Sequence, residues 1–446
     1  MKPTIYTTDN YGFMREREAF PSSEELAGVL TLNVDDDGAK TGFDGFGVAL
    51  TGSSCYILNK MPETARNELL EKIYGKNGLG LSVARLTIGA SDYSPEVYCY
   101  EDEQGNFTIG KDREYVLPVV KEVAEKYRDV RFFASPWSPP ARMKTGESMF
   151  GGFMRDKFVP EYADYILNYI DAYAREGVKI SAITVQNETE TDQGGKSAAC
   201  IWNPETEAAF AFAFDEKQKN RADKADKVKI MLLDHNFSIY KRVIWQYENF
   251  PELRKIAPAV AFHYYAGGAD LAEKVTDRFP ETEWHFTEGG PRLYDNYATD
   301  WCKWGSIMCS ALNRGAKSFT GWNLALDETG GPNVGPFGCG GLVTVNSASG
   351  ELSFSGQYRA FDHFSRFIKR GAKVLKSSVE GEDHGAFAFP SVRTAPAVCV
   401  AENPDGSLVV EIVNPDSDKR QVQFFRNGSR LYVECLPNSI NTVVFK

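Results

Sequence analysis

Hydrophobic and polar positions along most of this chain alternate between the period of a β-strand and the period of an α-helix. Short runs of Val, Ile, Leu and Phe, typical of buried strands, recur eight times, and each is followed by a stretch with amphipathic helical spacing. The strand-like runs cover residues 43–52, 81–90, 130–137, 180–188, 228–236, 259–267, 283–290 and 318–326. The helical stretches cover residues 62–75, 115–128, 161–176, 204–219, 238–249, 268–279, 296–314 and 354–370.

This alternation predicts an α/β protein whose core is a (β/α)₈ barrel. Eight strand-then-helix units over about 330 residues match that architecture. An open doubly wound sheet is the alternative, but it usually has fewer units and carries a glycine-rich phosphate turn after its first strand. Gly45-Phe46-Gly47 lacks the third glycine of that turn. Since active-site groups in a barrel lie at the carboxyl ends of the strands, we expect the chemistry there.

The pattern changes after residue 371, where short alternating strands are separated by turn sequences. The turn sequences are Asn403-Pro404-Asp405-Gly406, Asn414-Pro415 and Asn427-Gly428. They predict a β-sandwich side domain appended to the barrel. A strand-like run at 30–34 lies too early to belong to the barrel, and we expect it to join this sandwich. The predicted division is an N-terminal segment of the side domain (1–41), the barrel (42–371) and the C-terminal β-sandwich (372–446).

Charge and composition narrow the classes of partner. The 446 residues include 50 Lys and Arg against 61 Asp and Glu, a net charge of -11, which argues against binding nucleic acid or an anionic membrane surface. The sequence lacks the roughly 18-residue apolar run of a membrane span, and its first residues lack the apolar core of a secretory signal. We expect a soluble protein, cytoplasmic as it stands and secreted or periplasmic if a leader peptide was removed. The sequence does not indicate an oligomeric state.

The 8 cysteines are scattered along the chain. They form no C-x-x-C pair and no Cys/His spacing of the zinc kind. We interpret them as reduced thiols and predict no metal site.

Two of the predicted strands end in a glutamate. The fourth ends in Thr184-Val185-Gln186-Asn187-Glu188, and the seventh ends in His285-Phe286-Thr287-Glu288. Strands four and seven lie on facing sides of the barrel mouth, so the two carboxylates are expected to face each other. Such a pair fits retaining glycoside hydrolysis, in which carboxyl groups about 5–5.5 Å apart act as acid/base and nucleophile. For either glutamate alone, a salt bridge at the rim is the alternative.

Other strand ends supply a cation and a wall for a sugar. Arg85 lies on strand two, and an arginine beneath a nucleophilic glutamate would keep that carboxylate ionised. Around the mouth we expect residues that stack on a sugar ring or bind its hydroxyls, namely Trp137, Asn187, His263, Tyr265 and Trp322. Each alone has a structural alternative, such as a core tryptophan or a hydrogen-bonded histidine. Their shared position at strand ends favours the sugar-binding interpretation.

Seven motifs, taken in chain order, match a known family. They are Gly45-Phe46-Gly47, Ala84-Arg85-Leu86, Ala134-Ser135-Pro136-Trp137-Ser138-Pro139-Pro140, Gln186-Asn187-Glu188, Phe262-His263-Tyr264-Tyr265, Thr287-Glu288-Gly289 and Gly321-Trp322-Asn323-Leu324-Ala325-Leu326. In this order, and from about residue 26 to the C-terminus, the chain resembles glycoside hydrolase family thirty, especially its glucosylceramidase-like branch. The resemblance implies a TIM barrel fused to a β side domain built from both chain ends, and a retaining mechanism.

Carried over residue by residue, the resemblance implies that Glu188 is the acid/base and Glu288 the nucleophile. It also implies contact between Asn187 and the 2-hydroxyl of the sugar. The subsite for the terminal sugar would be lined by Asp92, Trp137, Trp322 and Asn333. An aspartate and a tryptophan at these positions resemble the glucose-accepting members, which favours β-D-glucosides over xylan.

The chain departs from the family pattern directly after the acid/base glutamate. A proline is usual there, whereas this chain has Thr189. The segment 189–193 also carries two further carboxylates on the expected leaving-group side. These departures leave the leaving-group specificity open without changing the expected reaction type.

The expected function is hydrolysis of β-D-glucosidic bonds through a covalent glucosyl-enzyme, as in a β-glucosidase or glucosylceramidase-like enzyme, with a β-glucoside or oligosaccharide as substrate. Burial and the neighbouring carboxylate are expected to raise the pKa of Glu188, and no metal or other cofactor is required. Alternatives within the family are a β-1,6-glucanase and a β-xylosidase or β-fucosidase. Outside this class stand a non-catalytic carbohydrate-binding barrel and a barrel enzyme that acts on phosphorylated sugars.

Overall fold

Four strands precede the barrel in the computed structural model of the protein, which describes residues 3–18, 20–21, 29–40, 42–221, 227–379, 396–426 and 429–445. They are β1 (Thr4–Asp9), β2 (Gly12–Glu18), β3 (Phe20–Pro21) and β4 (Leu30–Lys40). β1 and β2 form an antiparallel hairpin. The sequence analysis did not predict this hairpin, because the threonine-rich β1 shows little alternation of apolar and polar residues.

Eight parallel strands form a closed barrel. They are β5 (Gly45–Leu50), β6 (Val83–Ile88), β7 (Arg131–Pro136), β8 (Ile180–Thr184), β9 (Lys229–Asn236), β10 (Ala259–His263), β11 (Glu283–Glu288) and β12 (Ala316–Gly321). The last strand, β12, pairs in parallel with the first, β5, and this pairing closes the barrel. Each strand overlaps one of the eight predicted runs, so the predicted (β/α)₈ barrel is confirmed.

Helices cover the outside of the barrel. They are α1 (Gly52–Lys60), α2 (Glu63–Tyr74), α3 (Gly110–Lys126), α4 (Val159–Arg175), α5 (Pro204–Lys219), α6 (Lys241–Asn249), α7 (Leu253–Ile256), α8 (Asp270–Arg278), α9 (Trp301–Asn313) and α10 (Gly356–Phe367). α4 shows how the sequence builds them: a proline occupies its first turn, and tyrosines spaced three or four residues apart are buried along one side. The main hydrophobic core lies between these helices and the strands.

The fourth barrel strand ends earlier than predicted. β8 stops at Thr184, and the next residues leave the sheet while their backbone amides bind neighbouring strand ends. The amide of Asn187 donates to the carbonyl of Pro136, and the amide of Glu188 donates to the carbonyl of Asp234. Glu188 is therefore held by β7 and β9 rather than by its own strand.

A small sheet and six C-terminal strands complete the fold. The small sheet contains β13 (Ala325–Leu326), β14 (Val343–Val345) and β15 (Leu352–Phe354). The C-terminal strands are β16 (Lys373–Val379), β17 (Ala397–Glu402), β18 (Leu408–Asn414), β19 (Arg420–Arg426), β20 (Ser429–Cys435) and β21 (Ser439–Phe445). Two of the predicted turn sequences follow β17 and β18, and the third, Asn427-Gly428, lies outside the described residues.

Strands from both chain ends form the side domain. Its strand order is β2-β1-β21-β18-β17-β16-β4-β19-β20-β3, so β1 pairs with β21, and β4 lies between β16 and β19. Apolar residues from the two halves of this sheet, among them Leu32, Val410 and Val433, share one core, as expected for a sandwich. The strand predicted at 30–34 thus belongs to the side domain.

Within the described part of the chain, no helix has the length and apolar character needed to cross a membrane.

Candidate active site

A cavity of about 360 Å³ opens at the carboxyl ends of the barrel strands. Its wall brings together seven residues singled out in the sequence: Asp92, Trp137, Asn187, Glu188, Tyr265, Glu288 and Trp322. The position agrees with the general placement of active sites in (β/α)₈ barrels.

Glu288 ends β11 and is held by Arg85 of β6. Arg85 is fully buried, and its Nη1 donates to Oε2 of Glu288 at 2.5 Å. Its Nη2 donates to Oδ1 of Asn187 at 2.9 Å. The guanidinium also lies over the indoles of Trp137 and Trp322, at 4.9 and 5.3 Å from the ring centres. One planar cation thereby orients a carboxylate, an amide and two aromatic rings of the cavity wall.

Asp234 is a buried carboxylate of the site that the sequence analysis missed. Its donors are Arg85 Nη2 (2.8 Å), Ser135 Oγ (2.8 Å), Thr184 Oγ1 (2.7 Å), His263 Nε2 (2.9 Å) and Thr287 Oγ1 (2.7 Å). Burial would raise the pKa of Asp234, but Arg85 and His263 hold it well below its usual range. Asp234 therefore stays ionised and anchors both cations. Its place near the end of the apolar strand β9 was the available sequence signal.

His263 lies between the carboxylates rather than in the wall of the cavity. It is fully buried, and while Nε2 binds Asp234, Nδ1 lies 3.3 Å from Oε1 of Glu188 and 3.9 Å from Oε1 of Glu288. Although burial opposes it, the charges of Glu288 and Asp234 raise the pKa of His263 to about 9. At neutral pH both ring nitrogens therefore carry hydrogen. The predicted contact of His263 with substrate has no support from this position.

The shared histidine nitrogen limits the separation of the two glutamates. Because it lies within 4 Å of Oε1 of both Glu188 and Glu288, these oxygens are at most about 7 Å apart. This bound includes the separation of retaining glycosidases.

The surroundings of Glu188 reverse the expected shift of its pKa. Oε1 lies 3.3 Å from Nδ1 of His263 and 3.7 Å from Nδ1 of His235, and Oε2 accepts from Nε2 of Gln193 at 2.7 Å. Burial raises the pKa, but these three neighbours together lower it below the ordinary glutamate value. The prediction of a raised pKa was wrong because it considered burial and the second carboxylate without the two histidines. Burial in turn lowers the pKa of His235 to about 4.

Asp92 and two indoles form another part of the wall. The rings of Trp137 and Trp322 are stacked, with centres 5.2 Å apart and planes 20° apart. Oδ1 of Asp92 is buried without a hydrogen-bond partner. Burial, together with the charges of Glu288 and Glu188, raises the pKa of Asp92 to about 8. Near neutral pH Asp92 is therefore a carboxylic acid that can donate to a hydroxyl group.

Tyr265 and Asn333 occupy different surroundings. Tyr265 lines the cavity, and burial followed by the charge of Glu288 raises its pKa well above the ordinary tyrosine value. Asn333 does not line the cavity: its amide donates to the carbonyl of Phe337 and accepts from the amide of Gly335, each at 2.6 Å. Asn333 thus shapes its own loop, and its predicted role in sugar binding stays a prediction.

Sequence reasoning missed further wall residues, which lie in loops apart from Asn236, the last residue of β9. They are Gln193, Asn236, Arg292, Tyr294, Phe337, Gly338 and Cys339. The guanidinium of Arg292 lies 5.9 Å from the ring centres of both Tyr265 and Tyr294. These residues follow no period, and the chain order alone does not show which loops meet at the mouth.

Backbone strain accumulates around the cavity. Five residues other than glycine have a positive φ there: Glu188 (53°), Gln193 (54°), Leu233 (75°), Asp234 (46°) and Asn323 (60°). Such conformations cost of order 1–3 kcal/mol each and persist where the surrounding structure imposes them. Their concentration at one place agrees with a functional site.

One group of described residues has the donor atoms for a metal ion. Ligand atoms of Glu188, His235 and His263 lie within 4.8 Å of one another. Hydrogen bonds already engage Glu188 and His263 in this arrangement, and a metal ion would have to replace them.

Comparison with known proteins places this site in a family. A model for the "Glycosyl hydrolase family 30 TIM-barrel domain" matches residues 43–368. The chain belongs to this family. It is 28% identical to "Endo-1,6-beta-D-glucanase" of Neurospora crassa, covering 86% of this chain and 81% of that protein. It is 25% identical to "Lysosomal acid glucosylceramidase" of Mus musculus, covering 87% of this chain and 78% of that protein.

A solved structure gives the same result for the fold. The crystal structure of SrfJ from Salmonella typhimurium matches with a TM-score of 0.89 and 24% identity, covering 100% of both chains. The family 30 assignment makes this protein a glycosyl hydrolase with a carbohydrate substrate. Glu188 and Glu288 both lie in the wall of one cavity, as hydrolysis by a pair of carboxyl groups requires.

Proposed function

We propose that this family 30 protein is a retaining β-D-glucosidase. Glu288 is the nucleophile, and Glu188 is the acid/base. The observation that carries the proposal is the single cavity in which these two glutamates lie beside Asp92 and the stacked indoles of Trp137 and Trp322.

The first step forms a covalent glucosyl-enzyme. A carboxylate oxygen of Glu288 bonds to the anomeric carbon while the bond from this carbon to the leaving-group oxygen breaks. Glu188 gives its proton to that oxygen. The proton is available in the site, because His263 carries one 3.3 Å from Glu188, and displacement of water by substrate favours the protonated form of a carboxyl group.

The second step returns the enzyme to its starting state. Glu188 removes a proton from a water molecule, the water oxygen bonds to the anomeric carbon, and the ester bond to Glu288 breaks. Since both displacements invert the anomeric carbon, the β configuration is retained. Arg85 holds the carboxylate of Glu288 in place when it is released.

Two features support glucose as the terminal sugar. Asp92 presents a buried oxygen without a protein partner, which suits a hydroxyl group, and the two indoles suit the C–H face of a pyranose ring. The cavity volume of about 360 Å³ is near the lower end of the range for ligand sites, which favours one or two sugar rings.

An endo-acting β-1,6-glucanase is the second candidate. Tyr294 and Phe337, which line the cavity, are 74% and 45% exposed, so their rings are available to stack on further sugars of a chain. The Neurospora crassa relative carries the name of such an enzyme.

Hydrolysis of a panel of 4-nitrophenyl β-glycosides, with gentiobiose and β-1,6-glucan, tests the proposal. We expect turnover of the β-glucoside and release of glucose from chain ends. Activity on the polymer with longer early products would favour the glucanase, and preference for xyloside or fucoside would change the sugar. Inactivity on the whole panel would contradict the proposal and favour a carbohydrate-binding barrel.

Replacement of the nucleophile tests the assignment of Glu288. The Glu288→Ala variant should lose at least about 10⁴-fold in kcat, because the covalent step needs the carboxylate. Azide should restore part of the activity on a 2,4-dinitrophenyl glucoside and yield α-glucosyl azide, detected by NMR. Glu283→Ala, which removes the other glutamate of β11, is the matched control and should retain activity. A Glu288→Ala variant that folds but forms no azide product would count against Glu288.

A further inference from the structure

Gln193 belongs to the loop after β8, in which the chain departs from its family pattern. Its side chain is half-buried and lines the cavity, and its Nε2 donates to Oε2 of Glu188 at 2.7 Å. The other oxygen of Glu188, Oε1, lies 3.3 Å from His263. Protein groups therefore engage both carboxylate oxygens of the proposed acid/base, Glu188.

The contact of Gln193 is on the side of Glu188 that the leaving group must use. Oε1 faces His263, which is fully buried, and His235, whose side chain is 10% exposed. Neither histidine lines the cavity, whereas Gln193, the partner of Oε2, does, so Oε2 is the oxygen that faces an approaching glycosidic oxygen. Gln193 therefore occupies the position from which the leaving-group oxygen receives its proton.

The backbone holds the amide of Gln193 in this position. Gln193 has a φ of 54°, and Gly194 and Gly195 follow with 63° and 67°. Side chains of the loop bind its amides: Oγ1 of Thr191 accepts from Gln193 N at 3.1 Å, and Oδ1 of Asp192 accepts from Gly194 N at 2.9 Å. A positive φ costs a glutamine about 1–2 kcal/mol of backbone strain, so Gln193 keeps this conformation only because the surrounding loop imposes it. The loop therefore determines where the side chain of Gln193 lies.

We infer that Gln193 is a positioning residue for the acid/base: it binds Oε2 of Glu188 and yields this place to the leaving-group oxygen when substrate binds. The inference rests on the proposed function. It places the loop 189–197 at the part of the active site that receives the leaving group. An amide N–H binds a carboxylate but not the proton of a carboxylic acid, so the contact favours the ionised form of Glu188. Entry of the leaving group removes this contact at the moment when Glu188 must be protonated.

The other titratable groups that face Glu188 lie outside the loop 189–197. His263 and His235 contact it from β10 and β9, and Glu288 and Asp92 are the neighbouring carboxyl groups. None of these four depends on the loop 189–197. Variation of Gln193 therefore changes one neighbour and leaves the rest in place.

Two substitutions test this role through the pH profile of kcat/KM on a 4-nitrophenyl β-glucoside. Gln193→Met keeps the shape but removes the N–H, and the alkaline limb should move up by about one pH unit, as loss of one hydrogen bond to a charged group predicts. Gln193→Glu adds a second carboxylate beside Glu188 and should move the limb further in the same direction.

Asp192→Ala is the control for the structure of the loop. It removes the acceptor for the amide of Gly194 but keeps the side-chain N–H of Gln193, so its alkaline limb should move less than that of Gln193→Met. Alkaline limbs of Gln193→Met and Gln193→Glu that coincide with the wild type would overturn the inference while wild-type turnover upholds the proposed function. Absence of wild-type turnover on any glucoside would instead contradict the proposed function.

Discussion

Arg85, Asp234 and His263 form a buried network of charges that orients both glutamates. A lone buried charge is strongly unfavourable, and each member here is balanced by hydrogen bonds and by an opposite charge. Asp234 binds both cations, Arg85 binds Glu288, and His263 binds Glu188. Loss of any one member removes a charged partner from at least one other member, so this network positions the site as a unit.

Asp92 offers a residue-scale test of how burial at the site affects stability. The folded state raises its pKa from 3.8 to about 8, so the folded protein binds more protons than the unfolded chain between these values, and stability falls as pH rises through this window. Asp92→Asn removes the titrating group. We expect this variant to unfold a few degrees above the wild type at pH 7.5 and at nearly the same temperature at pH 4, measured by calorimetry.

Removal of the whole side chain should reduce activity. Asp92→Ala deletes both the donor and the acceptor offered to a sugar hydroxyl, so KM for the β-glucoside should rise by at least about tenfold, whereas the carboxamide of Asp92→Asn still offers both. The surface variant Asp129→Asn is the control and should alter neither quantity. An Asp92→Asn variant less stable than the wild type at pH 7.5 would contradict this account of Asp92.

At the scale of elements, the start of α10 supports the loop that follows Glu288. Ser355 caps this helix: its Oγ accepts from the amide of Tyr358 at 3.1 Å and donates to the carbonyl of Leu342 at 3.0 Å. Two residues later, Nε2 of Gln357 donates to the carbonyl of Gly289 at 2.8 Å. The helix start therefore connects the small sheet to the residue directly after Glu288.

Removal of this cap should destabilise the protein. Ser355→Ala leaves the amide of Tyr358 unpaired, and we expect a loss of about 1 kcal/mol in the free energy of unfolding, measured in urea. Ser355→Thr, which keeps the hydroxyl, should recover most of it. Ser349→Ala, at an exposed serine outside the helix, should have no measurable effect. Equal stability of the alanine variant and the wild type would show that the cap contributes nothing.

At the scale of the whole molecule, a series of buried hydrogen bonds joins the side domain to the barrel. The hydroxyl of Thr442 on β21 donates its one hydrogen to Oε2 of Glu411 at 2.7 Å. It must therefore accept in its other bond, which Nδ1 of His363 on α10 donates, also at 2.7 Å. Nε2 of His363 then accepts from Thr8 of β1 at 2.7 Å. Burial lowers the pKa of His363 to about 3, which agrees with a neutral ring. Both chain ends are thereby bound to one barrel helix.

Glu411 makes this junction sensitive to pH. Burial raises its pKa from 4.5 to about 8, so stability should fall as pH rises between these values, because the unfolded chain loses its proton first. Glu411→Gln keeps an acceptor for Thr442 and removes the ionisation. Between pH 5 and pH 9 the unfolding temperature of the variant, measured by calorimetry, should therefore fall by several degrees less than that of the wild type.

The pH dependence of this junction is assigned to Glu411 for a reason that can be tested. His363 is neutral across this range, and Thr8 and Thr442 do not titrate, so Glu411 is the ionising group of the junction. Glu402→Gln, at an exposed carboxylate of β17, is the control and should follow the wild type. Parallel profiles of Glu411→Gln and the wild type would show that ionisation of Glu411 does not limit stability.

The sequence by itself determined the elements of the barrel and the residues at their ends. Strand and helix periods reflect which side of an element is buried, and this local property is written directly into the order of apolar residues. The eight strands were predicted for this reason. The rule that active-site groups follow the strands then led to Glu188, Glu288 and Arg85 before any contact was known.

Only the tertiary structure decided how these residues are paired. Asp234, His235 and Gln193 reach Glu188 and Arg85 because barrel closure and loop conformation bring distant segments together, and no period along the chain reports such contacts. The predicted direction of the pKa shift of Glu188 was wrong for this reason. The pairing of β1 with β21 is a similar case, since it joins the two ends of the chain. Local burial is encoded in neighbouring residues, whereas electrostatics at a site depends on distances that only the folded chain sets.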